Sequence, residues 1–247
     1  MFRTRFAPLL LATVALAGCG KSDDAATPAA SSEAVKAVAA PAGTSWTDTV
    51  VATPEGGVRM GNPDAPIKMI EYGSLSCPHC AKLAQDGFAT LMKDYVGTGR
   101  VSLEFRSVII HPQDTPLTLL VRCGPVEAQF PLIEQVYANF DAMQEPLNDQ
   151  AVTQRANAAL QGPAEQRMVG LADALKYTEF FSARGLTVEK AHACLADAGK
   201  VKEIADFTQK YSAEGVNQTP TILINGNQLD KVDWPDVELA LKQAGAR

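Results

Sequence analysis

The sequence lacks several features that would define whole classes of protein. It has no apolar stretch of about 20 residues, the length of a membrane-spanning helix; its longest apolar run is Phe6–Ala17, broken only by Thr13. It has no repeat of roughly 20–50 residues, which argues against solenoids and propellers. It has no excess of basic residues, since the net charge is −6 and the pI is near 5.1. That acidic charge balance argues against a protein that binds nucleic acid, because such a protein requires a basic face to contact the phosphates.

The amino-acid composition indicates a globular protein. Of the 247 residues, 46% are hydrophobic and 20% are charged, which is enough apolar surface for a packed core in one domain. The five cysteines form an odd set, so any scheme of disulfides leaves one thiol to be explained.

The N-terminal residues have the order of a secretory signal. Arg3 and Arg5 precede the apolar run, and small residues end it. The tetrapeptide Leu-Ala-Gly-Cys that ends at Cys19 resembles a bacterial lipobox. It predicts a signal peptide over residues 1–18 and lipidation of Cys19, which would anchor the chain to a membrane. An ordinary signal cleaved after Ala17 is the alternative that the same residues leave open.

The rest of the chain divides by composition. Residues 19–45 are rich in Ala, Ser, Pro, Thr and Asp and predict a lipid-anchored, flexible tether, because they bury too little surface to offset the entropy of ordering. Folded structure is predicted from Trp46. We predict an α/β domain in two parts, residues 46–113 and 214–247, separated by a helical insertion over residues 114–213.

Periodicity predicts the elements of these parts. A strand over Ile67–Tyr72, a helix from Pro78 and an alternating strand over Arg100–Arg106 form a βαβ unit. At the other end, a strand over Thr221–Ile224, the turn Asn225-Gly226 and a return strand precede a helix from Asp233. Two further predictions are a hairpin within Thr49–Met60 and a helix over residues 198–212.

The motif Cys77-Pro78-His79-Cys80 carries the chemistry. It stands at the predicted strand-to-helix turn, and two thiols three positions apart in a first helical turn can form a disulfide. The helix N-terminus lowers the pKa of Cys77 through unpaired N–H groups. A charged or hydrogen-bonding His79 would add to this effect. A stabilised thiolate favours the reduced form, so the disulfide is expected to be oxidising.

With this motif and Thr219-Pro220 before a strand, residues 62–247 resemble the DsbA-like thioredoxin-fold thiol–disulfide oxidoreductases. The resemblance implies a thioredoxin-like fold with an inserted all-helical subdomain. It implies that Cys77 is the exposed nucleophile and Cys80 its buried partner. It further implies that Pro220 is a cis-proline and that the Thr219 backbone pairs with an extended substrate. Thr219 departs from the valine of the best-known oxidase and is closer to isomerase-type relatives.

The resemblance also assigns Glu71 to the buried carboxylate that tunes thiol protonation. A solvated charge at the strand end is the alternative for Glu71. No cofactor and no metal are predicted: the chain has three histidines and no second CxxC, and Ala81 breaks the haem-attachment pattern. His111 is predicted to be a loop residue and His192 to lie on an exposed helix face.

Cys123 and Cys194 lie 71 positions apart within the helical block. Leftover cysteines in an oxidising compartment tend to pair, and some relatives in the resembled family carry a second disulfide in the helical domain. We therefore predict a structural disulfide here. Two buried, unpaired thiols are the alternative.

These features predict a monomeric, periplasm-facing lipoprotein that introduces disulfides into cysteine-containing secreted proteins. A membrane-bound redox partner would reoxidise it. Two alternatives remain open. One is an isomerase or reductase on the same fold, and the other is a non-catalytic binding lipoprotein, since a fold alone does not establish an activity.

Overall fold

The computed structural model describes residues 33–247. The predicted signal peptide, Cys19 and the first part of the predicted tether lie outside the described residues and stay predictions. Within the described range, no helix combines the length and apolar character needed to cross a membrane.

One mixed sheet forms the centre of the fold. Its strands are β1 (Val50–Ala52), β2 (Val58–Gly61), β3 (Ile67–Gly73), β4 (Val101–Ser107), β5 (Thr221–Ile224) and β6 (Asn227–Gln228). They lie in the order β1-β2-β4-β3-β5-β6. Strands β3 and β4 are parallel, and every other neighbouring pair is antiparallel. The parallel pair requires a crossover, and the helix that follows β3 supplies it.

Ten α-helices accompany the sheet in the described residues. They are α1 (Pro78–Thr90), α2 (Asp114–Arg122), α3 (Gln129–Ala138), α4 (Phe140–Gln144), α5 (Gln150–Leu160), α6 (Ala164–Ala174), α7 (Tyr177–Ser182), α8 (Val188–Leu195), α9 (Ala198–Ala213) and α10 (Trp234–Gln243). A π-helical turn, Leu91–Val96, continues α1. Short 3-10 turns cover Trp46–Asp48, Val126–Ala128 and Glu145–Asn148.

The predicted elements recur with small shifts at their ends. The hairpin within Thr49–Met60 is β1–β2, and the predicted 198–212 helix is α9. The turn at Asn225-Gly226 has positive φ at both residues, 51° and 82°, as a two-residue hairpin turn of the type I′ kind requires. Helices α2–α9 all lie between β4 and β5 in sequence, which is the block that the composition assigns to a helical insertion.

One apolar core joins the sheet to the helical block. Buried residues of β3, β4 and α1 belong to the same cluster as those of α2, α3 and α7. The rings of Phe105 on β4 and Tyr137 on α3 meet edge to face, with centroids 6.4 Å apart. Helix α3 therefore packs directly over the sheet, which places part of the helical block beside the end of β3.

The packed chain begins earlier than the predicted boundary at Trp46. The backbone N–H of Val38 donates to the carbonyl of Thr98 at 2.9 Å, and the indole N–H of Trp46 donates back to the Val38 carbonyl at 2.7 Å. The guanidinium of Arg100 donates to the carbonyl of Val35 at 2.9 Å, and Val35 packs against the core. Hydrogen bonds to the main chain of this segment, which low-complexity composition does not reveal, hold it against the domain.

Candidate active site

The Cys77-Pro78-His79-Cys80 motif stands where β3 passes into α1. Strand β3 ends at Gly73, and Cys77 occupies the N-cap of α1 with extended backbone angles, φ −87° and ψ 121°. Pro78 takes the first helical position, where its missing N–H costs no hydrogen bond. Both cysteines are free thiols. The turn therefore presents both thiols at the N-terminal end of a helix.

Cys77 is less exposed than the resemblance implies. Its exposed fraction is 3%, and that of Cys80 is 0%. The carbonyl oxygen of Thr219 lies 3.4 Å from Cys77 Sγ, so the loop before β5 covers the thiol. The expectation of an exposed nucleophile is corrected for this structure, in which Pro78 and His79 are the exposed members of the motif.

The pKa of Cys77 is lowered from 9.0 to about 5. The largest cause is a hydrogen bond with the Cys80 thiol, and burial opposes it. A side-chain hydrogen bond from Thr219 and the backbone N–H groups of Cys80 and His79 lower the pKa further. Donors in the first turn of a helix stabilise the thiolate because the helix leaves them without internal partners.

The proton shared by the pair belongs to Cys80. Burial raises the pKa of Cys80 well above 9.0, and the hydrogen bond with Cys77 and the charge of Glu71 add to the rise. The two thiols lie three positions apart, yet their pKa values shift in opposite directions. This separation makes Cys77 the thiolate and Cys80 the thiol.

The Thr219–Pro220 peptide bond is cis, as the resemblance implies. Pro220 is buried, Thr219 is half-buried, and Thr221 pairs with Tyr72 near the end of β3. The sheet therefore brings this loop beside Cys77, although 142 positions separate Cys77 from Thr219 in the sequence.

Glu71 is half-buried on β3, and its carboxyl is turned into the protein, which argues against a solvated charge at the strand end. Its Oε1 atom is buried without a hydrogen-bond partner. Burial raises its pKa from 4.5 to about 8, and the charge of Cys77 adds to the rise. A Cβ on Gly73 would lie 3.0 Å from this oxygen and 2.5 Å from the Phe105 ring, so only glycine fits beside it.

A small cavity adjoins Glu71 beneath α1. Its apolar lining includes Met69, Phe105, Phe130 and Tyr137, and its volume is about 20 Å³. That volume is enough for about one water molecule. The carboxyl of Glu71, whose pKa lies near neutrality, therefore borders a small cavity lined mostly by apolar side chains.

Sequence reasoning missed the residues that hold the loop before Cys77. The buried Asp114 carboxylate accepts hydrogen bonds from Ser74 Oγ at 2.8 Å and from the Ser76 backbone N–H at 2.9 Å. The Tyr137 hydroxyl donates to the Ser74 carbonyl at 3.0 Å. Asp114 has the sequence position of an ordinary first-turn acidic residue, and no local pattern distinguishes it from one.

The three histidines occupy separate places. His79 is exposed on the first turn of α1, and His111 is an exposed loop residue as predicted. His192 lies on α8 as a half-buried residue and contacts Asp173, with 3.0 Å between Nε2 and Oδ1. Across residues 33–247, no group of three or more His, Cys, Asp or Glu side chains is arranged to hold a metal ion.

Cys123 and Cys194 form a disulfide, with their Cα atoms 6.0 Å apart. Cys123 follows the last residue of α2, and Cys194 lies near the end of α8. The bond joins two helices of the helical block and lies outside the group of residues around Cys77.

Comparison with known proteins places this arrangement in a family. The family model described as Thioredoxin matches residues 53–243. The chain belongs to the thioredoxin family. Among solved structures, this thioredoxin-family chain is similar to a protein-disulfide isomerase from Novosphingobium aromaticivorans, with a TM-score of 0.70 and 25% identity. That similarity covers 76% of this chain and 96% of the other.

The fold is also that of alpha-DsbA1 from Wolbachia pipientis, with a TM-score of 0.60, 18% identity and coverage of 76% and 89% of the two chains. A Rickettsia bellii protein, provisionally named a protein-disulfide oxidoreductase, is 25% identical over 187 residues. This alignment covers 75% of our chain and 63% of the relative's length. The chain is therefore a member of the thioredoxin family that shares the fold of alpha-DsbA1, and the predicted fold class is confirmed.

Proposed function

We propose that the chain is a protein thiol–disulfide oxidoreductase that introduces disulfides into other proteins at Cys77 and Cys80. The observation that carries this proposal is the opposite shift of the two thiol pKa values, to about 5 for Cys77 and well above 9.0 for Cys80. A stabilised Cys77 thiolate is a good leaving group and favours the reduced enzyme, which makes the Cys77–Cys80 disulfide oxidising.

The reaction consists of two exchanges. A substrate thiolate attacks Cys77 Sγ of the Cys77–Cys80 disulfide; the new sulfur–sulfur bond forms as the old one breaks, and Cys80 leaves with the electron pair. A second substrate thiolate then attacks the substrate sulfur of the mixed disulfide, and Cys77 leaves as a thiolate. The substrate loses two electrons and two protons; the enzyme gains both electrons and one proton, which ends on Cys80, and the other proton passes to solvent.

Glu71 supplies the proton that Cys80 needs in the first exchange. Its raised pKa, about 8, keeps the carboxyl protonated near neutral pH. The buried Cys80 thiolate would otherwise remain charged in an apolar site, at a large cost.

The substrate is an extended, cysteine-containing segment of a secreted protein. Thr219 and Pro220 stand beside Cys77, where the Thr219 backbone can pair with such a segment as in strand addition to a sheet. We place the protein at the bacterial cell envelope, facing the periplasm and held to a membrane through lipidated Cys19. A membrane-bound redox partner accepts the two electrons, and the protein acts as a monomer.

The redox equilibrium of Cys77 and Cys80 against glutathione tests the direction. We expect a potential above that of the glutathione couple, so that the disulfide oxidises glutathione at neutral pH. Because the folded pKa of Cys77 is below its ordinary value, the stabilisation of the reduced form is complete above pH 9 and lost as pH falls through 5. A potential well below that of glutathione would contradict the oxidase and favour a reductase.

An isomerase is the second candidate. It is favoured by the similarity to the Novosphingobium aromaticivorans protein-disulfide isomerase, which spans 96% of that chain. Reduced protein incubated with a scrambled, fully oxidised substrate separates the two functions. Recovery of the native disulfides at a rate matching that of dithiol-peptide oxidation by the oxidised protein would favour the isomerase. Oxidation of the dithiol peptide without recovery of native disulfides in the scrambled substrate would support the oxidase.

The lipid anchor requires its own experiment. Intact-mass measurement of the protein extracted from membranes is expected to show acyl chains on a chain that begins at Cys19. An unmodified chain that begins elsewhere would contradict the anchor and would leave the redox proposal unaffected.

A further inference from the structure

A chain of hydrogen bonds leads from the buried Asp114 to the exposed His111. Ser74 Oγ donates to Asp114 Oδ1 at 2.8 Å, and Ser74 Oγ lies 3.3 Å from Ser76 Oγ. Ser76 Oγ lies 2.8 Å from His111 Nδ1. Asp114 has an exposed fraction of 0%, whereas His111 is exposed. The chain therefore connects the interior of the domain with the surface.

The hydroxyl protons allow two directions for this chain. Ser74 gives its one hydroxyl proton to Asp114, and its oxygen accepts from the Ser76 backbone N–H at 3.2 Å. In the first direction, Ser76 Oγ donates to Ser74 Oγ and accepts from a proton on His111 Nδ1; in the second, it donates to Nδ1. We take the first, in which every hydroxyl of the chain points towards Asp114. Nδ1 is then the donor, and the lone pair of the ring is on Nε2.

Backbone hydrogen bonds hold the histidine beside the reactive turn. Asp114 Oδ2 accepts from the backbone N–H groups of Ile110 and His111, at 2.9 Å each. Asp114 Oδ1 accepts from the backbone N–H of Ser76, also at 2.9 Å. One buried carboxylate thus fixes both the His111 loop and the residue immediately before Cys77. His111 Nε2 has no hydrogen-bond partner in the part of the chain that the structure describes.

We propose that His111 is a further catalytic residue, whose Nε2 accepts the proton of an incoming substrate thiol. Asp114, Ser74 and Ser76 are positioning residues that orient the ring. The inference rests on the proposed exchange at Cys77. The substrate S–H bond breaks, its proton passes to His111 Nε2, and the electron pair stays on sulfur. The thiolate then attacks Cys77 Sγ, Cys80 leaves, and His111 later releases the proton to water.

Two small thiols that differ in acidity test this role. One is already ionised at the assay pH, and the other is still protonated. Each is mixed with the oxidised protein, and the reduction of the Cys77–Cys80 disulfide is followed in a single turnover. For His111→Ala we expect the rate with the protonated thiol to fall by roughly 10²-fold, the usual contribution of a general base. The rate with the ionised thiol should be unchanged, because no proton has to be removed.

Three further measurements separate catalysis from structure. Added imidazole should restore the rate of His111→Ala with the protonated thiol. Ser76→Ala, which removes the orienting contact, should show a smaller loss confined to the same thiol. His192→Ala, at a histidine on α8 that contacts Asp173, serves as the matched control and should behave as the parent with both thiols.

Several outcomes would overturn the inference. They are an equal loss with both thiols, no loss with either, or failure of imidazole to restore the rate. The equilibrium with glutathione is measured on the same variants and should stay at the parent value, because a general base changes the rate and not the equilibrium. A parent protein that is reducing in that equilibrium would contradict the proposed oxidase without bearing on His111.

Discussion

The two cysteine pairs differ in sequence spacing and in their surroundings. Cys77 and Cys80 lie in the first turn of α1 as free thiols, next to a buried carboxyl and a covering loop. Cys123 and Cys194 lie 71 positions apart and are bonded between α2 and α8. The short pair gains little from loop closure but much from helix N–H groups, whereas the long pair constrains the unfolded chain. The reactivity of a disulfide therefore depends on the groups around it, whereas its contribution to stability depends on the number of residues between its cysteines.

Removing sulfur atoms from each pair gives the largest expected contrast. Cys77→Ser should reduce the oxidation of a dithiol peptide to the uncatalysed background, because the attacked sulfur is gone. The double variant Cys123→Ser/Cys194→Ser should keep turnover within a few-fold of the parent. Steady-state oxidation of the peptide measures both.

Turnover in Cys77→Ser equal to that of the parent would contradict the assignment of Cys77 as the attacked sulfur, and a parent protein with no turnover above background would indicate a binding protein rather than an enzyme. Loss of turnover in a folded double variant would mean that the helical disulfide takes part in the exchange, and the two pairs would then not be distinct in function.

The same double variant should lose stability. Opening the bond between Cys123 and Cys194 is expected to lower the free energy of unfolding by about 4 kcal/mol, from the entropy of the released 71-residue loop. Denaturant unfolding of the double variant and the parent measures the difference. Cys77→Ser/Cys80→Ser is the control, whose short loop predicts a smaller change; a loss as large as that of the helical pair would contradict the contrast.

Glu71→Gln tests how much free energy of unfolding is lost by holding a carboxyl near Cys77 and Cys80. The folded pKa of Glu71, about 8, lies above the ordinary 4.5. The free energy of unfolding is therefore highest below pH 4.5 and falls as pH rises towards 8, because the unfolded chain ionises this carboxyl before the folded protein does. Replacement by Gln should raise the free energy of unfolding by roughly 3 kcal/mol at pH 7 and have little effect at pH 4. Unfolding of reduced protein at both values measures this change.

Glu134→Gln is the control for Glu71, since Glu134 lines the same cavity but is exposed. An equal gain at pH 4 and pH 7 would show that charge burial is not the cause. Glu71→Gln should also slow dithiol oxidation, because Cys80 loses its proton donor.

The smallest effect is expected at the loop over Cys77. Thr219→Val removes a side-chain hydrogen bond that lowers the pKa of Cys77, so that pKa should rise by a fraction of a unit. Titration of the thiolate absorbance of the reduced protein measures the shift. Thr221→Val is the matched control, because its hydroxyl donates to the Gln218 carbonyl. An unchanged or lowered pKa of Cys77 in Thr219→Val would show that the Thr219 side chain does not stabilise the Cys77 thiolate.

Local patterns predicted much of the fold. The alternation in Val101, Leu103 and Phe105, the turn at Asn225-Gly226 and the Cys77–Cys80 spacing each depend on neighbours in the chain, and such signals survive folding. The role of Asp114 could not be predicted from the sequence, because its partners Ser74 and Ser76 lie 40 and 38 positions away. The hydrogen bonds of residues 35–46 to Thr98 and Arg100 were hidden for the same reason.

The burial of Cys77 shows the same limit. The motif indicated a reactive thiol, but only the contact with Thr219, 142 positions away, decided that the thiol is covered. Glu71 could be assigned a role by resemblance, whereas the missing partner of its Oε1 atom appears only once β3, β4 and α1 are packed.

By itself, the sequence determined the α/β class, the order of elements and the reactive pair, since these depend on periodicity and on short spacings. The tertiary structure decided the charges of that pair. It buried Cys80 and the Oε1 atom of Glu71, placed Thr219 over Cys77 and joined Ser76 and His111 to Asp114 through hydrogen bonds. The physical reason is that burial and electrostatic interactions depend on distances in space, and residues far apart in the chain set those distances.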